Sequence, residues 1–174
     1  QVKKNLTKKT IEMMNELADE RPEDYITFYK EHSRFIKHGI YEDITNREKL
    51  QNLLRYSSSS MEKNDMQSLK SYVENMKPYQ KGIFYMCGDN EDMMRESPLL
   101  DVIKDKKCEV LFMTEPIDEY LMQKIDSYEG KRFLCVSKDV EMFDETDEDK
   151  KKKTDLKHER SEERRVGKEC FLLC

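Results

Sequence analysis

Ile83-Phe84-Tyr85-Met86-Cys87 is a continuous apolar run, and Val110-Leu111-Phe112-Met113 and Phe133-Leu134-Cys135-Val136 repeat its character further along the chain. Runs this short, rich in large side chains and without polar alternation, suit strands covered on both faces. Gly82, Gly88 and Gly130 lie just outside two of them, as strand punctuation. Between the runs the period turns helical: Asp89 to Lys104, interrupted at Pro98, and Pro116 to Ile125, where Ile117, Tyr120, Leu121 and Ile125 share a face. Strands that alternate with helices imply parallel βαβ units of right-handed crossover. The fold class is therefore α/β, with a small three-layer α/β/α unit and a mainly parallel sheet predicted over residues 57–139.

Upstream of that unit the chain reads as helices. Val2, Leu6, Met13 and Leu17, with Thr10 filling the step, make one stripe. Pro22 with Glu23 and Asp24 opens a second helix, whose stripe runs through Tyr25, Phe28, Tyr29, His32, Phe35 and Ile36. Gly39 stands where a C-terminal cap belongs. Thr45-Asn-Arg-Glu48 reads as a capping box for a third helix with Leu50, Leu53 and Leu54 on its face. Residues 1–56 are thus a helical segment and connector. The serine run Ser57 to Ser60 is predicted to be a flexible joint to the α/β unit. Leu69, Tyr72, Val73 and Met76 form one more helix, stopped by Pro78.

Composition narrows the function classes. Charged residues make up 40% and hydrophobic ones 36%, with no Trp and a net charge of −5. From Lys150 to Glu169 nine basic residues face five acidic ones, and that stretch of +4 leaves −9 for the rest. An acidic body argues against a nucleic-acid interface, which needs a cationic face. Residues 140–174 are expected to be a charged, disordered tail. Within it, 160–174 differ again in composition and read as a non-native end, an expression or transcript scar. The five cysteines, Cys87, Cys108, Cys135, Cys170 and Cys174, form no paired framework and suggest reduced thiols in an intracellular compartment. No apolar run is long enough to span a membrane, and the first residues read as the middle of a helix.

No catalytic, cofactor-binding or metal-ligating residue is predicted. A phosphate-binding Gly-x-x-x-x-Gly-Lys-Ser/Thr turn is missing from the sequence. Gly88-Asp-Asn90 follows a strand and opens a helix, but one glycine reads as an ordinary turn. Glu115-Pro-Ile-Asp-Glu-Tyr120 places three carboxylates together. Pro at the first helical position and acids in the first turn are nonetheless what a helix N-terminus favours. His32, His38 and His158 are too scattered for paired imidazole ligands, and Cys170-x-x-x-Cys174 is half a metal motif at most. The methionines, eleven in all and including Met13, Met14, Met76, Met93, Met94 and Met122, suit a core or an adaptable binding surface.

Taken in order, Lys37-His-Gly-Ile-Tyr-Glu-Asp43, Leu53-Leu-Arg-Tyr56, Ser68-Leu-x-x-Tyr72, Gln80-Lys-x-Ile-Phe-Tyr85, Glu109-Val-Leu-Phe112 and Glu115-Pro-Ile-Asp-Glu-Tyr120 closely resemble the middle domain of the heat-shock protein 90 family. Glu129-Gly-Lys131 also falls where that family has it. The resemblance runs from about Val2 to Glu148 and implies a fragment of an ATP-dependent, dimeric molecular chaperone. In that family the middle domain engages client proteins and co-chaperones, while ATP and Mg belong to a separate domain. The middle-domain Arg and Gln that complete the family's ATPase site lie just upstream of the first helix here, so no catalytic residue carries over. Homodimerisation is implied only for the full-length protein, with no nucleic acid and no membrane as partners. Glu42-Asp-Ile-Thr-Asn-Arg47 resembles cytosolic branches, whereas Phe35-Ile-Lys-His-Gly39, Met76-Lys-Pro78 and Met86-Cys87 resemble mitochondrial and bacterial ones. A cytoplasmic location is expected, with the mitochondrial matrix as the alternative. The competing readings are a small α/β nucleotide-binding module or enzyme, with its site near Gly88 to Asn90 and Thr114 to Asp118, and a passive spacer between domains.

Overall fold

The computed structural model describes residues 2–63 and 65–138. The charged tail, His158, Cys170, Cys174 and the stretch 160–174 lie outside the described residues. Helices α1 (Val2–Glu20) and α2 (Pro22–Glu42) form a hairpin at Arg21, whose amide donates to Leu17 O and whose carbonyl accepts from Tyr25 N. Pro22 occupies the first turn of α2 with Glu23 and Asp24, as a helix N-terminus favours. Gly39 does not end α2. The helix continues to Glu42, where Asp43 N closes on Gly39 O at 2.8 Å.

The box expected at Thr45 and Glu48 is replaced by Asp43. Its Oδ1 accepts from Thr45 N at 3.0 Å and Asn46 N at 3.1 Å, while its Oδ2 accepts from Asn46 Nδ2. The bond from the Asn46 side chain is the main reason its carboxyl lies below the usual range. Helix α3 therefore starts only at Arg47 and runs to Gln51.

Six strands follow: β1 (Arg55–Ser58), β2 (Gln67–Ser68), β3 (Gly82–Cys87), β4 (Leu111–Met113), β5 (Ser127–Tyr128) and β6 (Lys131–Cys135). Helix α4 (Leu69–Asn75) precedes β3, α5 (Glu91–Arg95) and α6 (Pro98–Asp105) join β3 to β4, and α7 (Pro116–Met122) follows β4. The sheet order is β2-β1-β4-β3-β6-β5. Strands β4, β3 and β6, each built on one of the apolar runs, are parallel, with Met86 opposite Phe112 and Ile83 opposite Phe133. Strands β1, β2 and β5 add antiparallel flanks, so the sheet as a whole is mixed. The chain leaves β3 toward β4 and then returns past it to β6. With one crossover hand, α5 and α6 fall on one face and α7 on the other.

The serine run is not a joint. Ser57 and Ser58 pair with Phe112 and Leu111 across β1 and β4, and both are buried. Hydroxyls tolerate that position because each finds an acceptor: Ser57 Oγ donates to Glu91 Oε2 at 3.1 Å and Ser58 Oγ to Glu109 Oε1. Ser59 exchanges bonds with Val110, N to O at 2.9 Å and N to Oγ at 3.0 Å. The boundary expected between residues 56 and 57 thus falls inside a strand, and Gln1–Met142 is a single compact unit.

Two glycines are fixed by geometry. A Cβ on Gly82 would lie 2.2 Å from Arg132 O, so β3 and β6 approach through its missing side chain. Gly130 (φ 75°) follows Glu129 (φ 47°) in the two-residue turn from β5 to β6, and this turn type requires positive φ at both positions.

Candidate functional site

Three regions bear on function: the contact between α2 and α7, the turn after β3, and the outer face of α1 and α2. The stripe that buries α2 runs Tyr25, Tyr29, Ser33, Ile36, Lys37 and Ile40, so a helical period of three to four places a lysine among core residues. Lys37 is 2% exposed. Its Nζ lies 3.0 Å from Glu115 Oε1 and 2.9 Å from Asp118 Oδ1, and Asp118 is 1% exposed. Ser33 Oγ donates to Glu115 Oε1 at 2.9 Å, and Tyr56 OH donates to Asp118 Oδ1 at 3.1 Å. The ammonium also sits 5.1 Å from the centroid of the Tyr56 ring.

The hexamer singled out in the sequence thus serves two purposes. Pro116 starts α7 while Asp118 Oδ2 accepts Glu115 N at 3.3 Å, and both carboxylates clasp α2. Burial pushes the Asp118 carboxyl up, and Lys37 opposes the shift. With its oxygens engaged by Lys37 and Tyr56, Asp118 is an ion-pair partner and not an exposed acid. The sequence reading found the helix start but missed Lys37, although the spacing of four from Ser33 was the available signal.

The turn at Gly88 does not fit a phosphate. Gly88 N donates to Met113 O at 3.1 Å, and the space a Cβ would take is met by Cγ and Sδ of Met94 at 3.1 Å. Asn90 caps the short α5 by accepting Asp92 N at 2.8 Å. The Gly88 amide and the space beside its Cα are therefore used by the chain itself, so Gly88 offers the rival nucleotide reading no open cradle. Among the described residues no group of three His, Cys, Asp or Glu is arranged to hold a metal ion, and no helix is long and apolar enough to cross a membrane.

The outer face of α1 and α2 has the opposite character. Only Ile11 and Ala18 of α1 are buried. Val2 is 83%, Leu6 67% and Met13 58% exposed, and Phe35 on α2 is 77% exposed. A groove of about 370 Å³ between the helices is lined by Leu6, Thr10, Ile11, Met14, Phe35 and Ile36, among others. His32 lies beside it as a helix-face residue, its ring 4.8 Å from that of Phe28. The methionines divide: Met13 and Met93 are exposed, Met94 is buried, and Met14, Met76 and Met122 are half-buried against the core.

The sequence pattern of the Hsp90 protein family matches residues 1–171. The chain belongs to that family. Heat shock protein 83 of Leishmania donovani is 42% identical over 146 residues, which are 84% of this chain and 32% of that protein. Chaperone protein HtpG of Geobacter metallireducens is 37% identical over 150 residues, 86% of this chain and 23% of that protein. The chain therefore spans a third or less of these curated relatives. The middle domain of a Plasmodium falciparum heat shock protein superposes with a TM-score of 0.74 at 32% identity, covering 79% of this chain and 57% of that one. The chain is a middle-domain segment of an Hsp90-family chaperone, as the collinear motifs implied.

Proposed function

We propose that this Hsp90 segment engages partly unfolded client proteins and co-chaperones through the exposed apolar face of α1 and α2, in the cytoplasm. The single observation that carries the reading is Leu6, Met13 and Phe35 standing open beside a groove on an otherwise heavily charged chain. Contiguous apolar surface on a soluble-type chain is a place for protein contact, and a flexible Met at its edge adapts to varied partners. ATP, Mg and homodimerisation belong, in this proposal, to parts of the longer protein outside these residues. Holding by this segment would then be independent of ATP.

The passive-spacer reading has one observation in its favour. The chain covers 57% of the Plasmodium middle domain, so in a longer protein the stripe of α1 has further middle-domain chain available to pack against. A photo-crosslinker at Phe35 and another at Leu6, in the full-length protein with an aggregating client, separates the two. Client adducts at Phe35 support engagement. Adducts confined to the protein's own middle domain at both positions sink it and leave the spacer.

A further inference from the structure

The polar cleft between α4, the segment after β1 and the turn before β4 stands apart from the apolar face. It encloses about 500 Å³, within the size range of small-molecule sites. We propose that this cleft binds a small ligand through an anionic group, carboxylate or phosphate.

Its floor is rigid. Tyr72 OH donates to Glu109 O at 2.6 Å and accepts from Gln80 Nε2 at 2.8 Å and Phe84 N at 3.0 Å. The acid on its wall is already engaged, because Glu109 Oε1 accepts from Ser58 Oγ and from Gln67 Nε2 at 2.6 Å. The cations are not. Lys77 and Lys107 line the cleft, both exposed, and neither has a carboxylate within ion-pair distance among the described residues.

Lys107 is also held unusually. It has φ 53° at the end of α6, where Lys107 N bonds Lys104 O and Cys108 N bonds Ile103 O. That left-handed position is ordinarily glycine or asparagine. Here it carries a long cation to the cleft mouth. Two free ammonium groups over a fixed hydrogen-bonding floor, with hydroxyl and amide groups from Ser71 and Asn75 on the wall, match a compact anion.

The test is calorimetric titration of the whole chain with inorganic pyrophosphate and, separately, with citrate, at constant ionic strength. Thermal unfolding with and without each probe gives a second readout, since a ligand that binds the folded form raises the midpoint. The expected result is saturable binding of at least one probe, with the unfolding midpoint raised, and the probe that binds tells phosphate from carboxylate. Lys107→Asn, which keeps the left-handed turn accessible, combined with Lys77→Met should weaken binding tenfold or more. Lys63→Met, which removes a lysine paired with Asp92 outside the cleft, should leave it unchanged. No saturable binding of either probe, or an equal loss in the Lys63 variant, would overturn the assignment.

Discussion

The two faces of the helical hairpin invert the usual arrangement. On its inner face α2 buries a lysine, fully paired to two carboxylates of α7; on the outer face α1 leaves Val2, Leu6 and Met13 in solvent. The buried charge is tolerated because the Lys37 ammonium meets carboxylate oxygens of Glu115 and Asp118, and exposed apolar groups on the other face are ordinary for a folded chain. The inner face fastens the hairpin to the α/β unit, and the outer face remains available for contact. Under the proposed function, structural and contact roles fall on opposite sides of the same helices.

The largest way to break that comparison is Lys37→Ala. It leaves Asp118 and Glu115 against α2 without their cation, and loss of one partner of a buried pair costs about 3–5 kcal/mol. Urea unfolding should show that loss, whereas Leu6→Ser measured the same way should change stability by no more than about 0.5 kcal/mol. Equal effects of the two substitutions would remove the distinction between the faces. Next in size is Gly82→Ala, which must push β3 from β6 because the added Cβ meets Arg132 O at 2.2 Å. An overpacking loss of about 1–3 kcal/mol is expected, and hydrogen exchange should locate it in β3 and β6 and not in α1.

How much of this was legible follows from the kind of signal each element carries. Strands β3 and β4 were readable because burial on both faces leaves an unbroken apolar run, and β6 because its second half is apolar although Phe133 and Leu134 are only half-buried. Strand β1 was not, since Ser57 and Ser58 have the composition of a linker, and only partners 34 and 51 residues away satisfy their hydroxyls. The turn that leads into α3 was missed for a similar reason. Asp43 lies four residues before Arg47, and the tempting box at Thr45 and Glu48 matches a local pattern that a better-placed carboxylate overrides. At the clasp, the helix-start rule accounted for Pro116 and Asp118 but is blind to α2, 78 residues upstream of Glu115.

Alkali sharpens the comparison further, because the buried side of the fold holds tyrosines and α1 holds none. Burial pushes Tyr25 and Tyr128 up to about 12, and the Cys87 thiol from 9.0 up to about 12. A folded-state value above the unfolded one means that nothing is lost below the unfolded value. Above it the unfolded chain ionises first and folding weakens. The thermal midpoint should therefore be flat near neutrality and fall steadily between roughly pH 9 and 12; in a variant with the exposed Tyr41, Tyr79 and Tyr120 replaced by Phe, tyrosinate absorbance should rise only as the fold is lost. In that variant, tyrosinate appearing at its ordinary pH before unfolding would contradict burial of Tyr25 and Tyr128.

The smallest effect on stability is the most telling for function. Phe35→Ser removes a side chain that is 77% exposed on α2, two residues before Lys37, so the unfolding free energy should move by no more than about 0.5 kcal/mol. Under the proposed function the same substitution should lower the chain's capacity to delay aggregation of a thermally unfolding client, measured by light scattering. Glu31→Ser, at an exposed position one turn before Phe35 on the same helix, provides the control, since it removes a charge and leaves the apolar face intact. If Phe35→Ser holds client as well as the parent chain, the outer face is not the contact surface. If both substitutions weaken holding alike, charge and not apolar area governs it. Loss with Phe35→Ser alone, at unchanged stability, separates what α2 does for the fold on one side from what it offers a partner on the other.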